Sequence, residues 1–115
     1  MMAVVAALAM ATGLSAPFDP PAPPPSPAAA VLTLDSTSYC QAGIMADGQE
    51  TYWGAAAGNA WPFGTRMRIL TGRLAGTVVT IADRIGWGSQ LDVFSWSCSW
   101  SEWYGREAVQ VQLLN

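Results

Sequence analysis

All but one of the chain's eight prolines fall between residues 17 and 27, within the stretch PFDPPAPPPSPAAA that runs to residue 30. Proline fixes φ and has no amide hydrogen to donate, so this stretch can enter the body of neither a helix nor a sheet. It reads as an extended, semi-rigid spacer. What folds must therefore lie on one side of it, in residues 1–16 or 31–115, and only the second segment is long enough to bury a modest core.

The first segment, MMAVVAALAMATGLSA, is apolar and built from small residues. It falls short of the roughly 20 apolar residues that cross a bilayer. It fits the hydrophobic region of a secretory signal with LSA as its cleavage site, although no Lys or Arg precedes it. The other reading is an Ala-rich tail. A signal, a spacer and a compact domain in that order describe an exported protein, secreted or held in the wall or periplasm, with no stable membrane span.

Charge narrows the chemistry of residues 31–115. Asp35, Asp47, Glu50, Asp83, Asp92, Glu102 and Glu107 stand against Arg66, Arg68, Arg73, Arg84 and Arg106, and the chain has neither lysine nor histidine. No basic stripe is available for nucleic acid. Without imidazole, a zinc site is not expected, and no cofactor is implied. Catalysis would have to rest on carboxylates, hydroxyls or backbone groups. The two cysteines, Cys40 and Cys98, have the pattern of a single disulfide if the domain is exported. The alternative is a pair of buried free thiols acting as small apolar residues.

Short β-like runs separated by turns fill the domain. AVQVQLL at 108–114 alternates, with Val109, Val111 and Leu113 on one face. RMRIL at 66–70 places Met67 and Ile69 inward and Arg66 and Arg68 outward. TVVTIA at 77–82 is a β-branched run suited to a buried strand. VLTL at 31–34, STSYC at 36–40 and LDVF at 91–94 add shorter candidates. Turn signals at 47–48, 61–64, 71–76 and 86–88 separate these runs, which argues for a barrel or sandwich. SCSWSEWYG at 97–105 differs. Serines that can cap, Glu102 in the first turn and Gly105 as a stop predict one short helix, packed by Trp100, Trp103 or Tyr104.

The order of these pieces carries a resemblance. TSYC, MADGQET, GNAWPFGTRMRIL, GTVVTIADRIG, LDVF and WSEWYGREAVQVQLL follow one another over nearly all of residues 36–114. This order resembles the double-psi β-barrel domains of the RlpA-like and 3D groups, relatives of the lytic transglycosylase MltA and, more distantly, of expansins. The resemblance implies a mainly β fold, a six-stranded double-psi barrel with one or two short helices and an internal pseudo-twofold. It also implies a groove in which Asp83 and Asp92 meet a glycan strand, with peptidoglycan or another wall polysaccharide as partner and the chain acting as a monomer. Thr65 closes the family's Pro-x-Gly-Thr turn, and Glu50 stands where RlpA-like domains carry a groove carboxylate. The sequence departs from the pattern at Ala57-Gly58-Asn59, where RlpA-like domains often have a histidine and 3D domains an aspartate.

By that resemblance the activity would be lytic transglycosylation of the MurNAc–GlcNAc bond. Glycosidic cleavage needs a carboxylic acid still protonated near neutral pH, which burial or a nearby carboxylate can provide. Asp92, between Leu91 and Val93, is the candidate acid/base. Asp83 is either the second carboxylate or an aspartate that binds turn amides or pairs with Arg84 or Arg106. Trp87 and Trp53 sit in loops where an indole face can stack on a sugar or merely pin the loop. The competing readings are a non-catalytic, expansin-like wall-binding module and a protein-interaction module. The last would expose a contiguous Trp-rich apolar patch away from the carboxylates.

Overall fold

The computed structural model describes residues 30–115; the signal-like segment and nearly all of the proline-rich stretch lie outside the described residues. Six strands and one helix follow in order: β1 (Val31–Tyr39), β2 (Ala55–Ala57), β3 (Arg66–Ile69), β4 (Val78–Asp83), β5 (Leu91–Phe94), α1 (Cys98–Tyr104) and β6 (Glu107–Leu113). The strands close into a barrel in the order β1-β5-β2-β4-β3-β6. β1 runs parallel to β5 and β2 parallel to β4, while the other four contacts are antiparallel. Exchanging β1-β2-β3 with β4-β5-β6 leaves this ring of neighbours and its parallel pairs unchanged, so the topology has an internal twofold.

Alternation builds the interior. Met67 and Ile69 are fully buried while Arg66 and Arg68 face water, and Val109, Val111 and Leu113 point inward from β6. With Leu34, Val79, Ile81, Leu91 and Val93 they form the barrel core, which Tyr104 of α1 joins. There the Tyr104 hydroxyl donates to the buried Ser36 Oγ at 3.0 Å. A second, smaller cluster of Met45, Ala55, Ala82 and Phe94 lies outside the barrel wall, under the loop between β1 and β2 and against Tyr39 and Tyr52.

The expected strands are present, with two changes. Residues 31–34 and 36–39, which the sequence left as one strand or two, belong to the single strand β1, with Cys40 just beyond it. β2 is three alanines, all buried, with no sequence signature of its own. The helix is capped as expected, Ser97 Oγ accepting from the Trp100 amide at 3.1 Å and Gly105 ending it at φ 63°. It begins at Cys98, which puts Glu102 beyond the first turn. Of its candidate packing residues, Tyr104 is buried and Trp103 is 60% exposed, so Trp103 is not a core residue. A Cys40–Cys98 disulfide, with Cα atoms 5.1 Å apart, ties the end of β1 to the start of α1. No helix among the described residues is long and apolar enough to cross a membrane.

Candidate functional site

Asp83 and Asp92 end up on either side of one alanine. Ala57 of β2 is in register with Asp92 on the antiparallel strand β5 and with Asp83 on the parallel strand β4. Strict alternation would have sent Asp83 into the core after Val79 and Ile81. Between Ala56 and Ala57 the register advances from Ile81 to Asp83, so Ala82 is an extra residue, a β-bulge. Ala82 keeps its outward place in the outer cluster, and the bulge turns Asp83 to the same outer face, where Asp92 already points. A side chain larger than a methyl at residue 57 would stand between the two carboxylates.

Both carboxylates line a cleft of about 480 Å³. One wall is residues 41–44 of the loop after β1, and the other is Arg84, Ile85, Gly86 and Trp87. Each rim carries an exposed apolar side chain, Ile44 at 70% and Trp87 at 90%.

The two aspartates are held differently. Asp83 Oδ1 accepts from the amides of Ala46 and Arg84, each at 2.9 Å, and Oδ2 accepts from the Tyr39 hydroxyl at 3.3 Å. Asp83 thus binds turn amides. It pairs with neither arginine, since the Arg84 guanidinium donates to the Gly58 carbonyl at 2.9 Å and lies over the Phe63 ring, and Arg106 is bonded to Asp35. Asp92 is half-buried and accepts one hydrogen bond, from Thr37 Oγ1 at 2.9 Å. Burial pushes its carboxyl above the usual aspartate range, the Thr37 bond opposes this, and the negative charge of Asp83 adds to it. Tyr39 is likewise raised, by burial first and then by Asp83, so its phenol stays a donor.

Thr37 was not among the sequence candidates. The parallel register of β1 and β5 sets it directly opposite Asp92. Its hydroxyl also lies 2.7 Å from Ser89 Oγ. Because a hydroxyl has a single proton, Thr37 donating to Asp92 requires Ser89 to donate to Thr37. The chain Ser89–Thr37–Asp92 thus fixes the carboxylate's rotamer. In sequence terms the only signal was that Thr37 shares the outward face of its strand with Asp35 and Tyr39.

The remaining candidates are scattered. Trp87 is on the cleft rim. Glu50 is exposed and pairs through its backbone with Ile44, and it is the next residue, Thr51, that reaches the cleft. Thr65 is buried and closes its turn, Oγ1 donating to the Pro62 carbonyl at 2.8 Å, away from the cleft lining. Trp53 lies elsewhere, edge-on to Trp100 in a second groove. At 57–59, where a third polar group was absent from the sequence, the Asn59 side chain is occupied by the backbone of Ile85 on both its donor and acceptor sides. The site thus offers one raised carboxyl, a second carboxylate anchored in place, a neutral phenol and an apolar rim.

Searches against protein-family models, curated proteins and solved structures gave no match to this chain.

Proposed function

We propose that this chain is an exported double-psi barrel of the RlpA-like and 3D kind that binds wall glycan strands in the Asp83/Asp92 cleft and cleaves them by lytic transglycosylation. The single observation that carries the reading is the convergence of both aspartates on Ala57 in one cleft, with Asp92 raised and Asp83 anchored beside it. The closed ring with two parallel pairs related by an internal twofold supports the fold assignment. The Cys40–Cys98 disulfide fits an oxidising compartment.

In this mechanism protonated Asp92 delivers its proton to the glycosidic oxygen as the bond to the anomeric carbon breaks. Positive charge developing on the ring is stabilised by the carboxylate of Asp83. The C6 hydroxyl of the same sugar then attacks the anomeric carbon and returns its proton to Asp92, leaving a 1,6-anhydro end and a regenerated acid. Trp87 and Ile44 present apolar surface to the sugar faces.

One observation favours a binding-only reading: both oxygens of Asp83 are already engaged, and Asn59 is committed to Ile85. Incubation of the chain and of Asp92→Asn with peptidoglycan, followed by mass spectrometry, separates the two. Anhydro-muropeptides from the parent chain and at least about a hundredfold fewer from the variant are expected, the usual scale of a lost general acid. Co-sedimentation with the wall and no products from either would leave a glycan-binding module.

A further inference from the structure

Four of the chain's six tryptophans meet away from the aspartate cleft. Trp53, Trp96, Trp100 and Trp103 line a groove of about 570 Å³ together with Arg73 and Leu74. Trp53 and Trp100 meet edge to face at 5.6 Å, Trp100 and Trp103 are 6.0 Å apart, and Trp96 stands on the Phe94 ring. Trp53, Trp96 and Trp103 remain 48%, 64% and 60% exposed. So much indole surface left open in a small barrel marks a docking site rather than a packing remnant.

We infer that this groove is a polyproline-II site whose occupant is the chain's own proline-rich segment, residues 17–29. Ridged aromatic grooves recognise polyproline II because the ligand's prolines fill the gaps between rings, its carbonyls project outward for indole N–H donors, and little chain entropy is left to lose. The groove supplies the rings. The segment PFDPPAPPPSPAA supplies the ligand, and its composition favours that helix.

Geometry allows the match in cis. Ala30, where the described chain begins, accepts from the Leu113 amide at one end of β6; Arg73 bonds Glu107 at the other end. The intervening strand is about 20 Å long at some 3.3 Å per residue. Residues 17–29 in polyproline II reach about 40 Å at 3.1 Å per residue, enough to lay the Phe18–Pro24 part over the tryptophans. Charge fits as well. Asp19 is the segment's one carboxylate, and Arg73 is the groove's guanidinium, 5.0 Å from the Trp103 ring. Glu107 and the Tyr104 carbonyl engage one of its nitrogens, leaving other donors free for a carboxylate or carbonyl. Tethering raises the segment's effective concentration to the order of millimolar, so even weak intrinsic affinity keeps the groove substantially occupied.

The test is a ¹⁵N–¹H spectrum of the six indole N–H groups in the full chain and in a chain whose residues 17–29 are replaced by Gly and Ser. Replacement is expected to shift the signals of Trp53, Trp96, Trp100 and Trp103 and leave Trp61 and Trp87 in place. Adding the peptide PFDPPAPPPSPAA to the replaced chain should move the four signals back, half-way at a peptide concentration on the order of 1 mM. Trp96→Ala should abolish that response while the Trp61 and Trp87 signals report an intact fold. Unmoved groove signals in both experiments overturn the proposal. So do shifts produced by chito-oligosaccharide and not by the peptide, which make the groove a saccharide site, or shifts that scale with protein concentration, which make it a dimer contact. None of these outcomes depends on cleavage at Asp92.

Discussion

Asp92 sits between opposing influences, and that balance is measurable. Burial and Asp83 raise its carboxyl while Thr37 lowers it, so Thr37→Val should move it further up. Carboxyl ¹³C titration reads the shift directly, and in the proposed enzyme the alkaline limb of the pH–rate profile should follow it upward. A carboxyl raised by folding contributes stability that is complete below its unfolded value, about 3.9, and is lost as pH rises through the folded value. Asp92→Asn removes this loss. The variant is expected to be more stable than the parent at pH 7, with the two denaturation curves converging near pH 3. A gain at pH 3 equal to that at pH 7 would contradict the burial account. Both aspartates were legible in the sequence because they stand at strand ends on either side of one loop, Asp83 closing a strand pattern and Asp92 opening the next. Thr37 was not, because its importance comes from a parallel register with a strand more than 50 residues away. Trp53 was misplaced for the same reason: nearness to the loop in sequence put it at the cleft, whereas the fold sets it edge to face with Trp100.

Among the elements, the strands with alternation or β-branched runs were readable, since a side-chain period of two leaves a mark on the sequence. β2 left none. Alanine has low strand propensity, and Ala55–Ala57 form a strand because β4 and β5 pair with them on both sides. The bulge at Ala82 was equally invisible, and without it the aspartate would be an interior charge. Helix α1 was readable because its caps are local. Ser97→Ala should cost about 1 kcal/mol of stability in urea unfolding. The hairpin between β3 and β4 depends on Gly72, at φ 81°, where an added Cβ would come within 2.6 Å of the Glu107 carboxylate. Gly72→Ala should therefore destabilise the hairpin and break the Arg73–Glu107 pair, at the edge of the tryptophan groove. Chemical-shift changes confined to residues 69–77 and 103–107 would check it.

For the molecule as a whole, the disulfide spans 58 residues of sequence and joins the first strand to the helix before the last one. Replacing Cys40 and Cys98 with serine should cost roughly 4 kcal/mol in the chain-entropy view, read as a lower urea midpoint with the parent chain kept oxidised. Turn spacing left the choice between barrel and sandwich open, because the ring order joins runs that lie far apart along the chain; the closed six-stranded barrel was expected from the family resemblance and is the fold observed. That order also sets a schedule. The two neighbours of β1 are β5 and β6, the last strands to be made. A chain emerging from its N-terminus therefore holds its longest strand without a partner until residue 94 has appeared, and without its second partner until residue 113. Closure of the barrel therefore waits for β6, which pairs with both β1 and β3.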